Sequence, residues 1–340
     1  SISSAENLEK IKFGYAQKSI SPIIINFLIP KYLGYYKEEG LDVEFLTLGA
    51  NATVMASLDQ NRIDFGVGVP SFQLPIVAKG EKLPAINFYE YTYPFKWAVA
   101  VKPDSSIKSL LDLKGKTIGV SAFGVTDFPV GKALLKLSNL DPEKDVKWLA
   151  VGAGTKAGQA VERNDVSALI YFDTGFGQIE ASGIKLRYLP LPDSVPKVGG
   201  LYISATEETL QKRQKVAIGF ARSVAKASHF IQANPRAAAY MFIKLYPEAA
   251  PRGKTLTQQI DAISISINKR MPLYSHYDKN ISDLGRIKKS EWEDEVEFYG
   301  LKEKVKDVSK LFTNNLISEI NNFDRQKIIN SAKAFVIPAN

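Results

Sequence analysis

Ile11-Lys12-Phe13-Gly14-Tyr15-Ala16-Gln17-Lys18-Ser19-Ile20-Ser21-Pro22-Ile23 changes its hydrophobic period halfway along. Ile11 to Tyr15 alternate as a half-buried strand does. Ser21-Pro22 then reads as a helix N-cap followed by an N1 proline, leading into the apolar run Ile23–Ile29. The same change recurs twice downstream. Asp42-Val43-Glu44-Phe45-Leu46 alternates, and Asn51 can cap a helix with Val54, Met55 and Leu58 on one face. Ile63-Asp64-Phe65-Gly66-Val67 alternates, and Ser71 opens the next helix. A βαβαβα run implies a mostly parallel sheet with right-handed crossovers.

The pattern then resets. Ala85–Tyr93 and Phe95–Val101 are extended segments separated only by Pro94, the form expected of strands that leave one domain and enter another. A second alternation follows: helix Ile107–Leu113, strand Lys116–Val120, helix Asp127–Ser138, strand Val146–Val151, helix Thr155–Asn164, strand Ser167–Phe172, helix Gly175–Ser182 and strand Lys185–Leu189. Gly199–Ile203 is extended again. From Glu207 onward the reading is helical, with segments at Pro235–Leu245, Thr255–Asn268, Lys289–Tyr299 and Val308–Ser318. The expectation is an α/β protein of two lobes with mostly parallel sheets. Residues 1–95 and 205–340, including the helical tail, form the first lobe, and 96–204 form the second. The chain crosses between them near Tyr93–Trp97 and Gly199–Ile203.

Composition excludes several function classes. At 340 residues, with 45% hydrophobic and 24% charged, the chain can fill two cores. No stretch approaches the roughly 18–20 apolar residues that cross a bilayer. The net charge of +8 comes from scattered lysines set beside acids, as in Lys37-Glu38-Glu39, with no basic stripe interleaved with aromatics. Nucleic acid is therefore not the expected partner. The absence of cysteine rules out disulfides, thiolate metal sites and cysteine nucleophiles. The two histidines, His229 and His276, lack neighbours for a zinc site or a catalytic pair, and no G-x-S-x-G elbow is present. Gly152-Ala153-Gly154-Thr155 lacks the spacing of a nucleotide loop and reads as a glycine-eased helix start. No catalytic residue, metal or cofactor is expected, and the chain reads as a binding protein.

Four segments carry a family resemblance. Gly34-Tyr35-Tyr36-Lys37-Glu38-Glu39-Gly40-Leu41-Asp42-Val43-Glu44 resembles a segment of the sulfonate/nitrate/thiamine-pyrimidine-precursor-binding (NMT1/THI5-like) family of ABC-transporter solute-binding proteins. Leu58-Asp59-Gln60-Asn61-Arg62-Ile63-Asp64-Phe65-Gly66 and Asp112-Leu113-Lys114-Gly115-Lys116-Thr117-Ile118-Gly119-Val120 agree in order and spacing, and Phe312-Thr313-Asn314-Asn315-Leu316 is similar to the family's tail. Asn61 departs from a position that is often Gly, but asparagine tolerates a left-handed helix end next best. The resemblance implies a type II periplasmic-binding-protein fold, two hinge-linked lobes and a small organic ligand enclosed between them. It also implies a monomer in the periplasm or otherwise extracytoplasmic, membrane-associated through the permease subunits of an ABC importer. An anion, a sulfonate or carboxylate, is the expected ligand, with a neutral heterocycle such as a thiamine-pyrimidine precursor as the alternative. A pyrimidine-precursor synthase is a distant third, because such enzymes depend on a cysteine-rich motif.

In open parallel sheets ligands bind beyond the carboxyl ends of the strands, where helix N-termini present free N–H groups. The candidates follow from that rule. Gln17 and Ser19 follow the first strand, Asn51 and Thr53 the second, Ser71 and Phe72 the third. In the second lobe, Phe123, Gly124, Thr126 and Asp127 occupy the equivalent turn, and Asp173 and Thr174 follow its fourth strand. Tyr93, in the aromatic-rich crossing, completes the set. Asp127 and Asp173 stand against an anion, since a carboxylate facing the ligand would repel one.

Overall fold

The computed structural model describes residues 7–275 and 283–339, so His276 lies outside the described residues. β1 (Glu9–Tyr15) ends at a short 3-10 turn capped by Ser21, whose hydroxyl accepts the Ile23 N–H. α1 (Ile25–Leu33) follows and stops at Gly34 in the left-handed conformation, φ 80°. α2 (Tyr35–Glu38) leads into β2 (Leu41–Thr47), then α3 (Asn51–Asp59), β3 (Phe65–Gly68), α4 (Pro70–Ala78) and β4 (Ile86–Thr92). The chain crosses to β5 (Trp97–Val101). β6 (Thr117–Val120), α5 (Asp127–Leu137), β7 (Lys147–Ala150), α6 (Thr155–Glu162), β8 (Ala168–Phe172), α7 (Asp173–Ala181) and β9 (Arg187–Tyr188) build the second unit. β10 (Leu201–Ala205) returns.

Two five-stranded sheets result, ordered β2-β1-β3-β10-β4 and β7-β6-β8-β5-β9. Within each, the first three strands are parallel, and the strand next to them, β10 or β5, runs antiparallel to both neighbours. The two antiparallel strands are the ones that follow the crossings. Each crossing thus inserts a strand into the sheet it enters. β10 pairs in the first sheet from Leu201, four residues before the change of lobe expected at 204/205.

Each sheet has its own apolar core. Phe13, Phe27, Phe65 and Phe220 stack in the first, and Val99, Ile118, Leu134 and Ile170 lie in the second. The C-terminal region is mostly helical. α8 (Glu207–Lys212), α9 (Gln214–Ala233) and α10 (Pro235–Leu245) precede α11 (Leu256–Arg270), α12 (Lys289–Phe298), α13 (Ile317–Ile320) and α14 (Arg325–Ala334). Ala217, Val224 and Ile231 of α9 and Ala238 and Phe242 of α10 are buried in the first core. α11 does two things at once. Ile260, Ile263 and Ile267 sit in the first core, while Ser266 packs so closely on α7 that a Cβ at Gly177 would lie 2.7 Å from the Ser266 Cα.

The helix expected over Val308–Ser318 does not form. Leu311–Thr313 instead runs along the edge of β4: Asn87 N–H donates to the Leu311 carbonyl at 3.1 Å, and Thr313 N–H donates to the Asn87 carbonyl at 2.9 Å. Asn314 then bonds both the N–H and the C=O of Ile287 through its side chain. Backbone groups that a helix would have paired internally are taken by a sheet edge that would otherwise be bare.

Candidate functional site

Loops leaving the carboxyl ends of β1, β7 and β8 line one cavity of about 670 Å³ between the two sheets. Gln17, Ser19 and Ser21 come from the first unit. Gly154 and Thr155 at the start of α6, Tyr171 and Phe172 at the end of β8, and Gln178 and Ser182 come from the second. Residues 248–251 and Ala262 and Ile263 of α11 close the remaining wall.

Tyr171 is the most constrained polar group in this lining. Its hydroxyl accepts the Gly154 N–H at 2.8 Å. Its ring lies against Gly175, where a Cβ would come within 2.2 Å of the Tyr171 Cε2. Burial raises the phenol well above its ordinary pKa, so the proton stays on and is available to donate. Gly154 holds φ 62° and ψ −140°, a conformation that glycine adopts without penalty. Gln17 and Gln178 add amides from opposite sides, and neither amide bonds to another described residue. The charged side chains of the lining, Glu248 and Lys254, are exposed and opposite in sign.

Of the residues singled out in the sequence, Gln17 and Ser19 line this cavity. The rest are placed elsewhere. Asn51 donates through its backbone N–H (3.1 Å) and Nδ2 (3.3 Å) to the Gly124 carbonyl, which brings the loops after β2 and β6 together. Thr53 points to solvent from α3. Ser71 is buried, and its Oγ has no hydrogen-bond partner among the described residues, while Phe72 packs on the first core. Tyr93 donates its hydroxyl to the Lys197 carbonyl at 2.8 Å. Phe123 is 47% exposed and meets Phe128 edge-on at 4.9 Å. Thr126 is half-buried at the entry to α5 and makes no capping bond.

The two carboxylates are each held by groups within the protein. Asp127 is buried, and its Oδ2 accepts the Ser121 N–H at 2.9 Å and the Ser121 hydroxyl at 2.7 Å; it ties its own turn together. Burial pushes this carboxyl up to about 6. Asp173 is gripped by Arg270 and by the N–H of Thr174, so its lone pairs are spent within the protein. Thr174 is buried with its carbonyl accepting the Ser266 hydroxyl at 2.9 Å. Sequence reading passed over Tyr171 and Gln178, and took Gly154-Thr155 for a plain helix start. The glycine pair at 152 and 154 was the available signal.

Residues 21–238 match the family model described as NMT1/THI5 like. YtlA of Bacillus subtilis, described as a candidate binding protein, is 27% identical over 241 residues, 67% of each chain. A solved structure from Bordetella bronchiseptica superposes with a TM-score of 0.72 at 21% identity, over 92% of this chain and 96% of that one. The alkanesulfonate-binding protein SsuA of Xanthomonas axonopodis, bound to MOPS, does so with a TM-score of 0.64 at 15% identity, over 92% and 97%. Among the described residues, no helix is long and apolar enough to cross a membrane.

Proposed function

The chain belongs to the NMT1/THI5-like family, and on that premise we propose that it is an extracytoplasmic solute receptor. It captures a small organic molecule between its two sheets and delivers it to the permease subunits of an ABC importer. It acts as a monomer in the periplasm and performs no chemistry on its ligand. The unit of residues 1–95 and 205–340 closes on that of 96–204 about the crossings, with β10 carried by the first. Gln17, Ser19, Thr155, Tyr171 and Gln178 hold the solute.

The lining favours an uncharged, hydrogen-bonding heterocycle over the anion expected from the sequence. One observation carries this reading: apart from the exposed Glu248 and Lys254, which offset each other in charge, the polar groups of the wall are amides, hydroxyls and a phenol, and the buried Arg270 is spent on Asp173. A neutral ring with acceptor and donor atoms satisfies such a wall at no cost in desolvated charge. A second reading, a carboxylate or sulfonate, is favoured by the start of α6, where backbone N–H groups open onto the cavity.

Thermal-shift titration of an aromatic carboxylate, its primary amide and an aminopyrimidine separates the two. Stabilisation by the neutral pair with none from the acid is expected. Binding at 100-fold the dissociation constant stabilises by about 2.7 kcal/mol, which is easily measured. The reverse order restores the anion. No shift from any member of a wider solute screen counts against the receptor reading itself.

A further inference from the structure

We propose that Lys96 and Glu295, which grip opposite sides of the Gly199 peptide where the chain crosses back between the sheets, form a proton-controlled latch on the opening of the cleft. The Gly199 N–H donates to Glu295 Oε1 at 2.6 Å, and the Gly199 carbonyl accepts from Lys96 Nζ. Lys96 also donates to the Pro94 carbonyl at 2.9 Å and lies 4.7 Å from the Trp97 ring centre. One lysine therefore ties the outgoing crossing to the returning one. Glu295, from α12, ties the returning one to the C-terminal region. Gly199 has φ 98°, and a Cβ there would fall 2.6 Å from the Trp97 ring, so no other residue fits the grip. Both charged side chains are buried, Lys96 at 6% exposure and Glu295 at 1%.

Such burial is tolerated only if the groups share or surrender charge. Burial pushes Glu295 up to about 8 from an ordinary 4.5, the Gly199 hydrogen bond and Lys96 opposing, with Glu291 adding to the rise. Burial and then Arg270 bring Lys96 down to about 7 from 10.5, against Asp173, Glu295 and Glu90. Glu90, on β4, is likewise pushed up to about 8 by burial. Tyr202 on β10 and Tyr93 also face the acids and keep their protons.

Opening the crossing to water returns each group to its ordinary value. From pH 4.5 to 8 opening releases the Glu295 proton, so it becomes easier as pH rises. From pH 7 to 10.5 opening makes Lys96 take up a proton, so it becomes harder as pH rises. Glu90, where wetted, adds to the Glu295 effect. Opening is easiest between pH 7 and 8, and the latch tightens toward pH 4.5 on one side and pH 10.5 on the other. Lys96 and Glu295 are positioning residues, acting through the crossing rather than on the solute.

Amide hydrogen exchange of the ligand-free full chain tests this without any solute, so its result is independent of the receptor reading. Exchange of segments 93–101 and 197–205 is followed from pH 5.5 to 8.5, each rate divided by its chemical rate. A rise of about tenfold or more up to pH 8 is expected, since one pKa unit corresponds to a factor of ten. Glu295→Gln, which keeps an acceptor for Gly199, flattens that rise, and Lys96→Met removes the decline above pH 8. An unchanged profile in Glu295→Gln, or no rise in the wild type, overturns the proposal. Should the variants not fold, carbon NMR titration of the wild-type glutamate carboxyls decides: a Glu295 signal titrating near 4.5 overturns the latch, and one near 7–8 supports it.

Discussion

Arg270, in the last turn of α11, holds Asp173, the first residue of α7, through paired bonds: Nη2 to Oδ1 at 2.7 Å and Nε to Oδ2 at 2.9 Å. Its remaining nitrogen, Nη1, donates to the Ile23 carbonyl in the turn after β1 at 3.2 Å. One side chain from the C-terminal region thus touches both sheet units. With Arg270 at 1% exposure, Arg270→Ala leaves the Asp173 carboxylate without its cationic partner, holding only the Thr174 N–H, in a poorly hydrated place. A loss of about 3–5 kcal/mol in urea unfolding is expected. Arg270→Lys keeps the charge but not the fork, and loses less. A loss under 1 kcal/mol for Arg270→Ala shows the pair to be dispensable.

That pair also marks where sequence reading stopped. Asp173 was legible as the residue after a parallel strand, which is where ligand contacts gather. Nothing local says that an arginine 97 positions away will claim it. The alternating runs at Ile11–Tyr15 and Asp42–Leu46 were legible because exposed Lys12, Asp42 and Glu44 interrupt their buried neighbours. Ala168–Phe172 is buried on both faces, so no periodicity tells that Tyr171 turns its hydroxyl toward Gly154 and the cavity. Gln17 and Ser19 reach the cavity wall because they sit in the loop directly after β1. The false helix at Val308–Ser318 has the same cause as the missed arginine: the partner that decides it, the edge of β4, is remote in sequence.

His229 gives a pH test of stability apart from the crossing. It is 2% exposed within α9, edge-on to Phe323 at 5.7 Å, and burial, followed by Arg325, lowers it to about 4. A depressed histidine stabilises fully above its unfolded value of 6.5, and that stability is lost as pH falls through the folded value. About 3 kcal/mol should disappear between pH 6.5 and 4. His229→Gln is expected to unfold with a shallower dependence in that window; an identical slope would show that the ring is not buried neutral.

Tyr171→Phe removes one hydroxyl, frees the Gly154 N–H and takes a donor from the cavity. The bound solute should lose about 1–3 kcal/mol by calorimetry, roughly ten- to a hundredfold in Kd. Gly175→Ala should do comparable harm without touching a polar atom, because its methyl would displace the Tyr171 ring. If Gly175→Ala binds as the wild type does, the ring's fixed position is not what the solute requires.

The contact between Gly124 and Ala50 bears on closure rather than on the cavity. A Cβ at Gly124 would lie 3.0 Å from the Ala50 Cβ, and the Gly124 carbonyl takes both Asn51 donors. This approach exists only while the loops after β2 and β6 meet. A larger side chain at 124 therefore strains the closed arrangement and leaves an open one untouched. Gly124→Val should weaken solute binding by about tenfold if it costs closure about 1.4 kcal/mol. Unfolding of the ligand-free protein should change little, since position 124 is half-buried and its backbone is not left-handed. Ala50→Gly in the same chain removes the opposing methyl and should recover most of the lost affinity, a coupling that two independent defects would not show. Additive losses in the double variant would mean that Gly124 acts by some route other than its approach to Ala50.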